Sequence, residues 1–151
     1  MNEAQAAYIA REVGRGYASD WIMVDQPMIS AFADVTRDWN FLHVDPQKAG
    51  ATEFGSTIAH GFLVLSLFAP FRETIVRESF PGLRVGVNYG LEGVRWVGPV
   101  RAGKRIRGHF TIAALTEEKP GRFREEMDVR VEVEREDRPA LVARWITCYF
   151  D

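Results

Sequence analysis

The spacing of apolar residues changes along the chain, from a helical period in its first half to a period of two in its second. After a short apolar stretch at Trp21 to Val24, Asp25 can cap a helix with Pro27 at its first position. Met28, Ile29, Phe32, Ala33 and Val35 supply the apolar stripe of that helix. It is expected to end near Thr36, just before a polar loop from Asp38 to His43. The next long segment runs from His60 to about Glu78. It opens Gly61-Phe62-Leu63-Val64-Leu65-Ser66-Leu67-Phe68-Ala69, apolar on every side. A helix of that kind must be wrapped on most of its circumference, and Pro70 is expected to weaken or kink its middle.

From Arg84 onward the pattern is that of strands. Ile106, Gly108, Phe110 and Ile112 alternate with Arg105, Arg107, His109 and Thr111; Val129, Val131 and Val133 alternate with Arg130, Glu132 and Glu134. Turn signals separate the runs at Gly98-Pro99 with Gly103, at Lys119-Pro120-Gly121 and at Asp137-Arg138-Pro139. Helices followed by strands, with no internal repeat or linker, predict one α+β domain over residues 1–151. Its antiparallel sheet would wrap around a long central helix.

Composition narrows the range of functions. The chain has 151 residues, 46% apolar and 26% charged, which suits a globular core without disulfide or metal support. Its net charge of -2, with Lys and Arg scattered, offers no basic patch for a phosphate backbone or an anionic membrane, so no nucleic acid partner is expected. No segment approaches the roughly 20 apolar residues of a membrane span, and Met1 to Arg15 lacks the apolar core of a secretory signal. A cytoplasmic protein without a membrane partner is expected. The single cysteine, Cys148, sits in an apolar run away from charged activators and reads as a buried structural thiol.

The chemistry is expected between Asp38 and His43, where Asp38, Asn40 and His43 lie within six residues. A carboxylate and an imidazole can act as general base and general acid at neutral pH when they face one pocket. Asp38 with Asn40 could instead form an Asx-type turn, but their closeness to His43, ahead of a helix opening on His60-Gly61, favours a site. Asp45-Pro46 reads as a cap and first residue of a short turn. His60 reads as a cap or satisfied core residue, and His109 as solvated on the outer face of a strand. Trp21, Trp39, Trp96 and Trp145 read as core or interface residues. With three histidines, one cysteine, no H-E-x-x-H and no paired C-x-x-C, no metal site is expected. Asp38-x-Asn40 lacks the glycine and closing glutamate of a calcium loop.

Asp38, Asn40, Phe41, His43, Asp45 and Pro46, followed by Ala59-His60-Gly61, resemble the motif D-x-N-P-x-H-x-D-P and the A-H-G helix start of the MaoC-like dehydratase family. These hot-dog-fold proteins include the (R)-specific enoyl-CoA hydratases. Asn88-Tyr89-Gly90, Val94-Arg95-Trp96 and Pro99-Val100 resemble a strand and turn of its small single-domain members. The likeness runs from about Asp20 to Tyr149. Two positions depart from the pattern: Phe41 replaces a proline, and Ala69 stands where some members carry a serine near the substrate.

The resemblance implies hydration of trans-2-enoyl-CoA to (R)-3-hydroxyacyl-CoA, or the reverse dehydration, with an acyl-CoA thioester as partner. Asp38 and His43 would grip one catalytic water, Asp38 as base and His43 as its partner; the residues alone leave the reverse assignment open. A free backbone N–H at Gly61, in the first helical turn, would stabilise the enolate oxygen. Asn40 would orient the loop or bind substrate. No metal or organic cofactor is required. A homodimer is implied, with the pantetheine arm entering near the subunit interface. Two rival readings stand beside this one: a non-catalytic acyl-thioester binding module, motivated by the bulk of Phe41, and a hot-dog thioesterase.

Overall fold

A computed structural model describes residues 1–151. The two halves of the chain divide as the periodicity predicts, with helices α1 (Glu3–Glu12), α2 (Gln26–Thr36), α3 (Phe41–Val44), α4 (Pro46–Gly50), α5 (Gly61–Ser66) and α6 (Phe68–Glu73) all preceding the long strands. Those strands are β3 (Val85–Trp96), β4 (Lys104–Lys119), β5 (Arg122–Val133) and β6 (Leu141–Phe150). Two short strands, β1 (Gly16–Ala18) and β2 (Ile22–Val24), both pair with β4. The sheet is antiparallel throughout, in the order β1-β4-β5-β6-β3. The apolar stretch from Trp21 thus supplies β2, whereas β1 and the capping-box helix α1, opened by Asn2 and Gln5, are additions to the expected elements.

Alternation along the strands separates two faces. Ile106, Phe110, Ile112, Val129, Val131 and Val133 are buried on the face that meets the helices. The opposite face carries cross-strand ion pairs such as Arg107 with Glu132 at 2.7 Å and Arg144 with Asp128 at 2.9 Å. His109 lies on this outer face as expected, but it is paired rather than simply solvated: its Nε2 is 2.6 Å from Glu132. Cys148 is buried, as read. The charged neighbour it was expected to lack comes from across the sheet, where Arg122 approaches its sulfur to 3.7 Å.

The central helix is shorter and less wrapped than the sequence suggests. It ends at Glu73 instead of near Glu78, and it is two segments joined at Leu67, whose N–H turns back to Val64. Pro70 has no N–H to bond the Ser66 carbonyl, so an unbroken helix would lose that bond. The join places Pro70 in the first turn of α6, where no partner is lost. Leu63, Val64, Leu67, Phe68 and Phe71 pack into the core with Ile106, Phe110, Met127 and Trp145. Phe62, Ser66, Ala69 and Pro70 remain exposed, so one stripe of this apolar helix is uncovered in the single chain.

Helix α2 is capped by Asp25, whose carboxylate accepts the Met28 N–H at 2.9 Å. Pro27 stands second rather than first, and Val35, assigned to the apolar stripe, is 84% exposed while Ile29 and Ala33 are fully buried. At the far end of the central helix, α1 closes a second small core of Tyr8, Phe80, Leu115, Phe123 and Tyr149. Beside it a cavity of about 500 Å³ contains Arg72, Arg77, Tyr8, Tyr17 and Tyr149. No helix is long and apolar enough to cross a membrane.

Candidate active site

Helix α2 stops because Arg37 adopts the left-handed conformation (φ 61°), and the chain turns back on itself. The turn delivers Asp38, whose N–H bonds the Ala33 carbonyl at 3.1 Å. The side chain of Asn40 then accepts the Leu42 N–H at 3.0 Å and caps α3, which fixes the loop. Of the two roles expected for Asn40, this contact is the orienting one. One turn of helix carries His43 inward, and its Nδ1 lies 2.8 Å from the Ile58 carbonyl. Asp45 ends α3 and caps α4 by accepting the Lys48 N–H at 3.0 Å, as the Asp-Pro pair predicts. That hydrogen bond, the largest influence, holds its carboxyl below the usual range.

The other wall comes from the start of the central helix. His60 is 3% exposed and occupies the N-cap position of α5 without capping it. Its Nε2 bonds the Asp38 carbonyl at 3.0 Å. Its ring stacks on His43 with centroids 3.7 Å apart and planes 26° from parallel, and Phe32 covers it at 5.0 Å. Asp38, His43 and His60 each turn a side-chain oxygen or nitrogen toward the others, all within 4.8 Å.

A carbonyl oxygen only accepts, so the ring nitrogens facing Ile58 and Asp38 carry the protons. The Nε2 of His43 and Nδ1 of His60 are left as lone-pair acceptors. The fold therefore brings the Asp38 carboxylate within 4.8 Å of both imidazoles. Sequence reasoning kept His60 out of this group because an apolar helix start usually hides a core histidine; its place directly before Gly61 was the signal available.

Gly61 is where the sequence placed it, in the first turn of α5, with no acceptor for its N–H in the chain. Packing also calls for a glycine here. A Cβ here would sit 2.5 Å from Nε1 of Trp96, so the indole leaves no room for a side chain. Trp96, which sequence reasoning treated only as core or interface, thus covers Gly61 while remaining 47% exposed, and Phe62 lies 5.3 Å from it. The cavity of about 500 Å³ touches none of Asp38, His43, His60 or Gly61. The cluster opens instead to the surface, beside the exposed rings of Trp39, Phe41, Phe62 and Trp96.

Chemically, Asp38 and His43 can hold one water between two acceptors and take its proton, next to an unpaired helix-terminal N–H that can face a developing negative charge.

The family profile described as "MaoC like domain" matches residues 9–137. Nodulation protein N of Rhizobium leguminosarum bv. viciae is 41% identical over 97% of this chain and 92% of its own length. The 3-hydroxyacyl-thioester dehydratase Z of Mycobacterium tuberculosis is 36% identical over 95% of this chain and 92% of its own. Among solved structures, the (R)-hydratase of A. caviae involved in PHA biosynthesis superimposes with a TM-score of 0.73 at 26% identity, over 90% of this chain and 95% of that one.

Proposed function

The chain belongs to the MaoC-like dehydratase family, and from that membership we propose that it interconverts trans-2-enoyl-CoA and (R)-3-hydroxyacyl-CoA thioesters. The observation that carries the proposal is the approach of Asp38, His43 and His60 within 4.8 Å, with the free N–H of Gly61 directly following His60. In the hydration direction a water held by Asp38 and His43 attacks the β-carbon, and Asp38 takes its proton. The π electrons move to the thioester oxygen, whose negative charge the Gly61 N–H stabilises. The enolate then collapses as His43 helps return a proton to the α-carbon. No bond to the thiol breaks, which separates this reaction from thioester hydrolysis.

Two further features support the reading. The relative of matching length from Mycobacterium tuberculosis is a dehydratase of 3-hydroxyacyl thioesters, the substrate class proposed here. Phe41, which motivated the binding-module alternative, starts α3 with its ring 42% exposed and leaves the pair reachable from solvent.

The working unit is a homodimer in this proposal. Strand β3 is the edge of the sheet beyond β6, and it exposes Val85, Val87, Tyr89, Leu91 and Trp96. An apolar edge of this length is a template for pairing with a second copy, and Trp96 links it to Gly61.

The test is the loss of enoyl-thioester absorbance from crotonyl-CoA and a longer enoyl-CoA, with product chirality determined and free thiol assayed in parallel. (R)-3-hydroxyacyl-CoA without thiol is the expected product. Thiol release would replace the proposal with a thioesterase, and binding without turnover would replace it with a non-catalytic acyl-thioester binding module.

A further inference from the structure

The residue directly before Gly61 touches both members of the acid–base pair. His60 donates its Nε2–H to the main-chain carbonyl of Asp38 at 3.0 Å, and its ring lies face to face with that of His43, centroids 3.7 Å apart and planes 26° from parallel. Its Nδ1 is buried without a partner, so that one hydrogen bond and the packing against His43 and Phe32 are what hold the ring. The segment carrying His60 is anchored from outside the site. Ala59 donates its N–H to the Val100 carbonyl at 2.7 Å, and Ile58 donates to Leu42 at 3.0 Å while its own carbonyl accepts from His43.

We propose that His60 is a positioning residue that sets Asp38 and His43 in register with the Gly61 N–H. In the hydratase reaction, on which this role rests, water must reach the β-carbon while the thioester oxygen meets that N–H. The two points belong to different segments: the loop and helix from Asp38 to His43 hold the water, and the start of α5 holds the oxygen. His60 is covalently joined to the amide donor and in contact with both water-holding residues, so it ties the two segments together. Asp38 is fixed at both of its main-chain groups, the N–H by Ala33 at 3.1 Å and the carbonyl by His60.

An imidazole suits both tasks, because it donates from its edge and offers a flat face for stacking. Glutamine can place a donor where Nε2 stands but has no face; phenylalanine has the face but no donor. The two substitutions therefore separate the hold on Asp38 from the hold on His43. Either hold matters to rate, since a displacement of ~1 Å at a reacting centre costs on the order of 10²-fold.

Steady-state kinetics on crotonyl-CoA should show kcat lowered by about tenfold or more in both His60→Gln and His60→Phe, with KM unchanged. Each loss acts through one partner. His60→Phe should lower kcat little further in an Asp38→Asn background, and His60→Gln little further in His43→Asn, whereas a purely structural defect would multiply with either. Losses that multiply in full, or a kcat that both variants retain, would overturn the role and leave the hydratase reading standing. A wild-type protein without turnover would end that reading and the role with it. Nitrogen-15 NMR of the three histidines of the wild type, assigned with His109→Gln and His43→Asn, decides the matter if the His60 variants fail to fold. The proton is expected on Nε2 of His60 and on Nδ1 of His43; a His60 protonated at Nδ1 alone could not hold the Asp38 carbonyl and would overturn the role.

Discussion

Asp38 is exposed and makes one long side-chain hydrogen bond, to the Asn40 N–H at 3.4 Å, so Asp38→Asn alters its charge with little effect on packing. Loss of one proton transfer predicts a fall in kcat of roughly 10²–10⁴-fold with the melting temperature nearly unchanged. His43→Asn should lose activity to a similar degree; near-normal turnover in either folded protein would remove the pair from the mechanism. Gly61 makes a second prediction. Gly61→Ala pushes a methyl into the indole of Trp96 and should lower activity and shift the tryptophan fluorescence. In a Trp96→Ala background that clash is removed, so a double-mutant cycle should show strong coupling between the two positions. Additive effects would mean that the indole does not govern the start of α5.

Among elements, the junction of α1, α6 and the sheet concentrates buried charge. Glu125 has no exposed surface and is held by Arg77 at 2.6 Å, Arg72 at 3.1 Å and the hydroxyl of Tyr149. Burial and the Glu125 charge push the Tyr149 phenol well above its ordinary range. Glu125→Gln leaves Arg72 without its carboxylate and Arg77 with only Glu12, 3.6 Å away, and should destabilise the fold by roughly 3–5 kcal/mol, read from denaturant unfolding. Its neighbour Glu12 is also buried, and burial raises its carboxyl. Hydrogen bonds from Tyr17 and Arg11, with the charges of Arg15 and Arg77, outweigh that effect and hold it below its ordinary value of 4.5. The folded chain therefore binds this proton less readily than the unfolded one. Stability from Glu12 is complete above about pH 4.5 and is lost as pH falls through the folded value. Melting temperature should drop on acidification below that point, and Glu12→Gln should flatten the slope.

At the scale of the whole molecule, the exposed stripe of α5 and α6 and the apolar edge of β3 leave the single chain with more uncovered apolar surface than the strand pattern alone would suggest. Edge pairing between two copies would cover β3 and bring a second chain beside Trp96. Sedimentation should give a dimer at micromolar concentration, and Val87→Lys should shift it toward monomer, because a lysine on an edge strand opposes pairing. A wild-type monomer would refute the edge assignment.

The sequence by itself determined what depends on local physics. Side-chain alternation fixed the faces of β4 and β5, Asp25 and Asp45 fixed two helix starts, and the residues from Asp38 to His43 announced their chemistry through short-range spacing. Helix α1 and strand β1 were missed because neither carries a strong apolar period. The length of the central helix was overread because apolar residues around Pro70 satisfy more than one path of the chain. Only the tertiary structure decided that His60 stacks on His43, that Trp96 takes the space above Gly61, and that Glu125 lies between two arginines. Those contacts join residues 17, 35 and about 50 positions apart. Their energies come from burial and electrostatics between segments that no local period connects.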